Sequence, residues 1–126
     1  AQRLNVTPMA IQHHIGSRDA LIHALANRVY AAIDAPTAPL LLMAYIDAIR
    51  RHPNLTLALF RSADPLPDEA QRLTDRLDIL LRQALPDPAA RLWRDILVDW
   101  AHGMALSRSP VDPAPALDAL LQAARM

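Results

Sequence analysis

Proline sets the segmentation of this chain. Eleven prolines stand against only two glycines, Gly16 and Gly103, in 126 residues. Proline has no backbone N–H and its ring clashes with the preceding turn, so it opens a helix or follows one but rarely sits inside one. Most of the prolines fall at breaks, and apolar residues recur at helical spacing between them. No stretch alternates apolar and polar residues for long, and β-branched residues are few. The chain is therefore expected to be all-α.

The breaks delimit the expected helices. Residues 1–5 read as the tail of a helix, and Thr7-Pro8 as an N-cap with proline in the first turn of a short helix ending near Ile15. Gly16 ends it. Ser17 then caps a helix from Arg18 to Ile33, with Leu21, Ile22, Leu25, Val29 and Ile33 on one face and Asp19 placed to suit the helix dipole. Asp34 to Pro39 is a linker. Further helices are expected over Leu40–His52, ended by Pro53, and from an Asn54 cap to Ser62. After a loop at 63–67, the next runs to Leu85 with a stripe of Leu73, Leu77, Leu80, Leu81 and Ala84. The longest starts at Asp87-Pro88 and ends near Arg108, and Asp112-Pro113 starts the last, with Leu117, Leu120, Leu121 and Ala124.

Apolar residues make up 52% of the chain, enough for a sizeable core. The longest apolar run, Leu40 to Ile46, is too short to span a bilayer, and no charged-then-apolar signal segment opens the sequence. A cytoplasmic protein without a membrane partner is expected. Cysteine is absent, which excludes disulfides and thiolate-ligated metal. The formal net charge is zero, but Arg3, Arg18 and Arg28 face a single acid, Asp19, in residues 1–30. Three of the five histidines, His13, His14 and His23, lie there too. The positive excess is small and sits at the front, where phosphates would be met.

The most informative stretch is Ala1–Ile22, AQRLNVTPMAIQHHIGSRDALI. It holds a helix end, a tight turn at Asn5-Val6, a short helix from Thr7-Pro8, and a glycine leading into a longer amphipathic helix. Two helices around such a turn are what a helix-turn-helix requires, with the second presenting its first residues to the major groove. The stretch resembles the signature of TetR-type transcription repressors. Val6 fills the turn, Ile11 the buried recognition-helix position, His14-Ile15 the His-hydrophobic pair, and Ser17-Arg18-Asp19 the start of the following helix. The resemblance implies that Thr7, Pro8, Met9, Gln12 and His13 face operator DNA, and that His14 and Arg18 contact phosphate. The family usually has tyrosine where this chain has Gln12; glutamine still bonds phosphate or reads adenine, without the ring contact. The family's head also has a helix ahead of this stretch. Leu4, Val6, Ile11 and Ile15 would otherwise lie exposed, so the natural protein is expected to continue upstream.

The resemblance covers residues 1–33. Beyond them it is an order of helices, and the side chains must be read singly. Trp93, Trp100 and Met104 are 7 and 4 positions apart on the longest helix, a spacing of core or dimer-interface packing; the alternative is the wall of a ligand cavity. Gly103, mid-helix, points to a close approach, since glycine there costs ~1 kcal/mol against alanine. Tyr45 carries the same two readings. Together Tyr45, Trp93, Trp100, Gly103 and Met104 are the candidate ligand-binding residues. Asp99 and His102, three apart, read as a solvated or interface pair, or as a hydrogen-bonded pair in a pocket. Arg50-Arg51 reads as a solvated helix end. His13-His14 has no third ligand at hand for a metal.

No Ser/His/Asp set and no phosphate-cradling glycine loop occurs, so an enzyme is not expected, and no cofactor is called for. The expected organisation is a partial helix-turn-helix DNA-binding domain with its connecting helix (1–33), then a helical regulatory and dimerisation domain (40–126). The implied function is repression of transcription by a homodimer that binds operator DNA and is released by a small-molecule effector. The alternative is a helical dimerisation or small-molecule-binding module that does not bind DNA.

Overall fold

A computed structural model describes residues 18–62, 65–107 and 111–125. They form six helices and no strand: α1 (Arg18–Tyr30), α2 (Ala38–Arg51), α3 (Pro53–Arg61), α4 (Asp68–Arg82), α5 (Asp87–Leu106) and α6 (Ala114–Arg125). The expected all-α class is thus the observed one. The helix-turn-helix stretch, including Thr7, Pro8, Met9, Gln12, His13 and His14, lies outside the described residues.

Local chemistry accounts for most boundaries. α2 starts ahead of the expected Leu40 because Thr37 caps it, its Oγ1 accepting the Leu40 N–H at 3.3 Å with proline in the first turn. At the other end the His52 N–H returns to the carbonyls of Ala48 and Ile49, and Pro53, with no N–H to give, opens α3. Asn54, expected as the cap of that helix, is its second residue. α4 ends at Arg82, so Ala84 falls in the following turn and is exposed, whereas Leu73, Leu77, Leu80 and Leu81 of its stripe are all buried. Asp112 caps α6, accepting the Ala114 N–H at 3.0 Å.

α2 is the central helix and touches each of the other five. A helix in that position needs apolar side chains around much of its girth, and Leu41, Leu42, Ile46, Ala48 and Ile49 are all buried. Ile46 and Ile49, with Leu97 of α5 and Leu117 of α6, are among the most deeply buried side chains of one core. Full burial of each such side chain contributes ~1.5–3 kcal/mol.

α1 enters the same core, packing chiefly on α3 and α4. Its deepest residues are Ala26, Tyr30 and, just past its end, Ile33. Leu21, Ile22, Leu25 and Val29, expected on the packed face, are only half-buried. The small Ala26 lets α1 sit close, and that carries Tyr30 inward.

Of the two arginines expected at a solvated helix end, only Arg50 departs from that place. Arg51 remains at the surface, paired with Asp47 at 3.2 Å. Arg50 instead donates to the carbonyls of Met104 at 3.4 Å and Val111 at 3.0 Å, tying the last turn of α5 to the segment before α6. Carbonyls at a helix end lack helical partners, and a guanidinium supplies them.

Candidate functional site

A cavity of about 110 Å³ lies between α2, α4 and α5. From α2 come Leu41, Leu42 and Tyr45; from α4, Ala70, Leu73, Thr74 and Leu77; from α5, Val98 and His102, one turn apart. Leu66, on the segment before α4, stands at its edge and is 60% exposed. The wall is apolar except where Tyr45, His102 and Thr74 reach it. The Thr74 hydroxyl donates to the Ala70 carbonyl at 3.1 Å, within its own helix.

Tyr45 and His102 form the polar feature of the site. The phenolic oxygen lies 2.7 Å from His102 Nε2, and the rings meet edge to face with centroids 5.4 Å apart. Phe60 covers the imidazole from α3, again edge on, at 5.0 Å. Burial holds the His102 imidazole below the usual histidine pKa, against the opposing field of Asp99. Burial pushes the Tyr45 phenol far above its usual value, and the neighbouring Tyr30 adds to that. The Tyr30 ring is tilted against Tyr45 at 5.8 Å. Its own pKa is raised by burial, with hydrogen bonding to Thr56 and Tyr45 opposing. At neutral pH the Thr56, Tyr30, Tyr45 and His102 side chains are therefore an uncharged polar chain across α3, α1, α2 and α5.

The candidate ligand residues divide. Tyr45 lines the cavity; Trp93, Trp100, Gly103 and Met104 do not. Residues two apart on a helix point about 200° from one another, so once Val98 and His102 face the cavity, Trp100 cannot. Trp93 and Trp100 are half-buried and pack against the core. Gly103 marks no close approach: it is exposed, and a Cβ on it would meet nothing within 4 Å. His102 is in the pocket, but its partner is Tyr45 and not Asp99, which is exposed. Arg18, the described residue among those expected at DNA, is exposed at the start of α1. Leu73 and Leu77 were legible in the stripe of α4, whereas Ala70 and Thr74 were not part of it, and only the packing shows that this face meets Val98 and His102.

A wider cavity of about 200 Å³ runs between the start of α2 and the ends of α4 and α6. Its polar lining residues, Thr37, Gln83 and Arg125, are all exposed, so it holds no desolvated group comparable to the Tyr45–His102 pair. Among the described residues no cluster of three or more His, Asp or Glu could hold a metal, and no helix is long and apolar enough to cross a membrane. Comparison with family models, curated proteins and solved structures finds no match for the chain.

Proposed function

We propose that this protein is a ligand-responsive, DNA-binding transcriptional repressor of the TetR type, acting in the cytoplasm as a homodimer. One observation carries the reading. α4 forms a wall of the cavity with Ala70, Leu73, Thr74 and Leu77, and its first turns bond α1, the helix that follows directly on the helix-turn-helix-like stretch. A ligand in the cavity and the DNA-reading segment thus act on the same joint.

Tyr30 gives a second connection. It sits at the end of α1 and touches Tyr45 on the cavity wall. A ligand that favours one placement of α4 and Tyr45 biases the tilt of α1, and with it the separation of two recognition helices in a dimer. Successive major grooves on one face of DNA lie ~34 Å apart, so a tilt that changes this separation releases the operator. The ligand must bind the two arrangements unequally for any shift to follow. Support for the dimer comes from Leu92 and Ile96, exposed on one face of α5 beside half-buried Trp93 and Trp100.

The test is operator selection. The product of the complete gene is mixed with fragmented genomic duplex, and bound fragments are recovered and titrated. A site of two related half-sites, bound less tightly as salt rises, is the expected result. Recovery of fragments without sequence preference, or of none, overturns the repressor, and recovery of none favours a helical ligand-binding module that does not bind DNA.

A further inference from the structure

We propose that the cavity between α2, α4 and α5 takes a small neutral molecule, apolar except for one hydroxyl group that hydrogen-bonds the Tyr45–His102 pair. The proposal rests on the reading of this cavity as the effector site, and it names the effector's chemical class.

The wall excludes charge. Among its described residues none is Arg, Lys, Asp or Glu. The arginines nearest in sequence on α4 are engaged elsewhere: Arg72 bonds the carbonyls of Tyr30 and Ile33, and Arg76 that of Ala35. A carboxylate or ammonium entering here sheds its water and finds no counter-charge, which is costly in an apolar site. His102 supplies none, being held neutral by burial.

The wall also asks for one polar group. Tyr45 meets His102 through a contact of 2.7 Å and also hydrogen-bonds Tyr30, which leaves one acceptor position on the phenolic oxygen. A ligand hydroxyl donates to that position. Thr74, the other polar group, has its hydrogen committed to Ala70.

Size sets the last limit. An apolar cavity of ~150 Å³ accommodates benzene. The present cavity, about 110 Å³, is smaller but open at one side, so a single ring or a short chain enters it in part and the rest of the molecule lies at the edge.

The probe is 4-methylphenol, compared with toluene, 4-methylbenzoate and benzylammonium by calorimetric titration of the full chain at neutral pH. 4-Methylphenol is expected to bind tighter than toluene and about tenfold or more tighter than either ion. In Tyr45→Phe/His102→Leu, with helicity checked by circular dichroism, the preference for 4-methylphenol over toluene is expected to vanish or reverse. Independently of that variant, the bound probe in the native protein should give nuclear Overhauser contacts to methyl groups of Leu73, Leu77 and Val98. Toluene binding as tightly as the phenol, an ion binding best, no probe binding, or contacts to Leu92 and Ile96 instead each overturn the proposal. These measurements contain no DNA, so failure to find an operator leaves them standing, and their failure leaves operator selection untouched.

Discussion

The side-chain carbonyl of Asn27, in α1, accepts the backbone N–H of Glu69, in the first turn of α4, at 2.9 Å. α4 has no cap of its own, since the residue ahead of it is Pro67. The exchange is mutual. Arg72 of α4 donates to the carbonyls of Tyr30 at 3.1 Å and Ile33 at 2.8 Å, where α1 ends, while its Nε pairs with Glu69. Each helix thus satisfies terminal groups that the other leaves open.

Asn27→Ala is expected to destabilise the fold by ~1 kcal/mol, as loss of an N-cap does, and Arg72→Met by ~1–3 kcal/mol. The double variant should cost less than the two together, because both act on one joint. Urea unfolding of the four proteins measures the cycle. Strict additivity would show that the two contacts do not cooperate. In the repressor reading, Arg72→Met also shrinks the effect of bound ligand on operator affinity, a coupling ordinarily of ~1–3 kcal/mol.

The depressed pKa of His102 has a definite sign. Its folded value lies below its unfolded value of ~6.5, so around and below that pH the unfolded chain takes up the proton first. The stability associated with the neutral ring is present above ~6.5 and is lost as pH falls from there toward the folded pKa. Unfolding midpoints between pH 7.5 and 5.5 are expected to fall in the native protein and to fall less in His102→Gln. Equal falls in both would assign the pH dependence to other groups.

Gly103→Ala is expected to stabilise the protein by up to ~1 kcal/mol, because helix propensity rises and the new methyl meets open space. The same opening means that Gly103→Leu leaves binding in the Tyr45–His102 cavity unchanged. Thermal unfolding reads the first effect and ligand titration the second. A destabilised Gly103→Ala would indicate that another surface, such as a second copy of the chain, closes on this face of α5.

Leu92 is 59% exposed and Ile96 38%, on adjacent turns of α5. Light scattering of the native protein is expected to give the mass of a dimer, and Leu92→Arg/Ile96→Arg that of a monomer with unchanged helicity. Desolvating what remains exposed of the two side chains contributes part of the ~1.5–3 kcal/mol that full burial of each would give, and charges in their place oppose association. Equal masses for the two proteins would remove this face from the interface.

Helices and their breaks were legible in the sequence because they depend on neighbours along the chain. Pro53 could only end one helix and open the next, Asp112 stood where α6 needed a cap, and the leucine stripe of α4 named its own buried face. Tyr45 was recognisable as a candidate. The site was not, because its parts come from distant segments: Tyr45 and His102 are 57 positions apart, and Asn27 and Glu69 are 42. α5 shows why periodicity could not choose. It carries apolar side chains on more than one face, with Leu97 and Ala101 buried, Val98 at the cavity, Trp93 and Trp100 half-buried, and Leu92 and Ile96 exposed. Spacing tells which of these residues share a face, but only the packing of α2 and α4 against α5 decides which face meets the core, which the cavity and which the outside. That decision put His102 in the site and took Trp100 and Gly103 out of it.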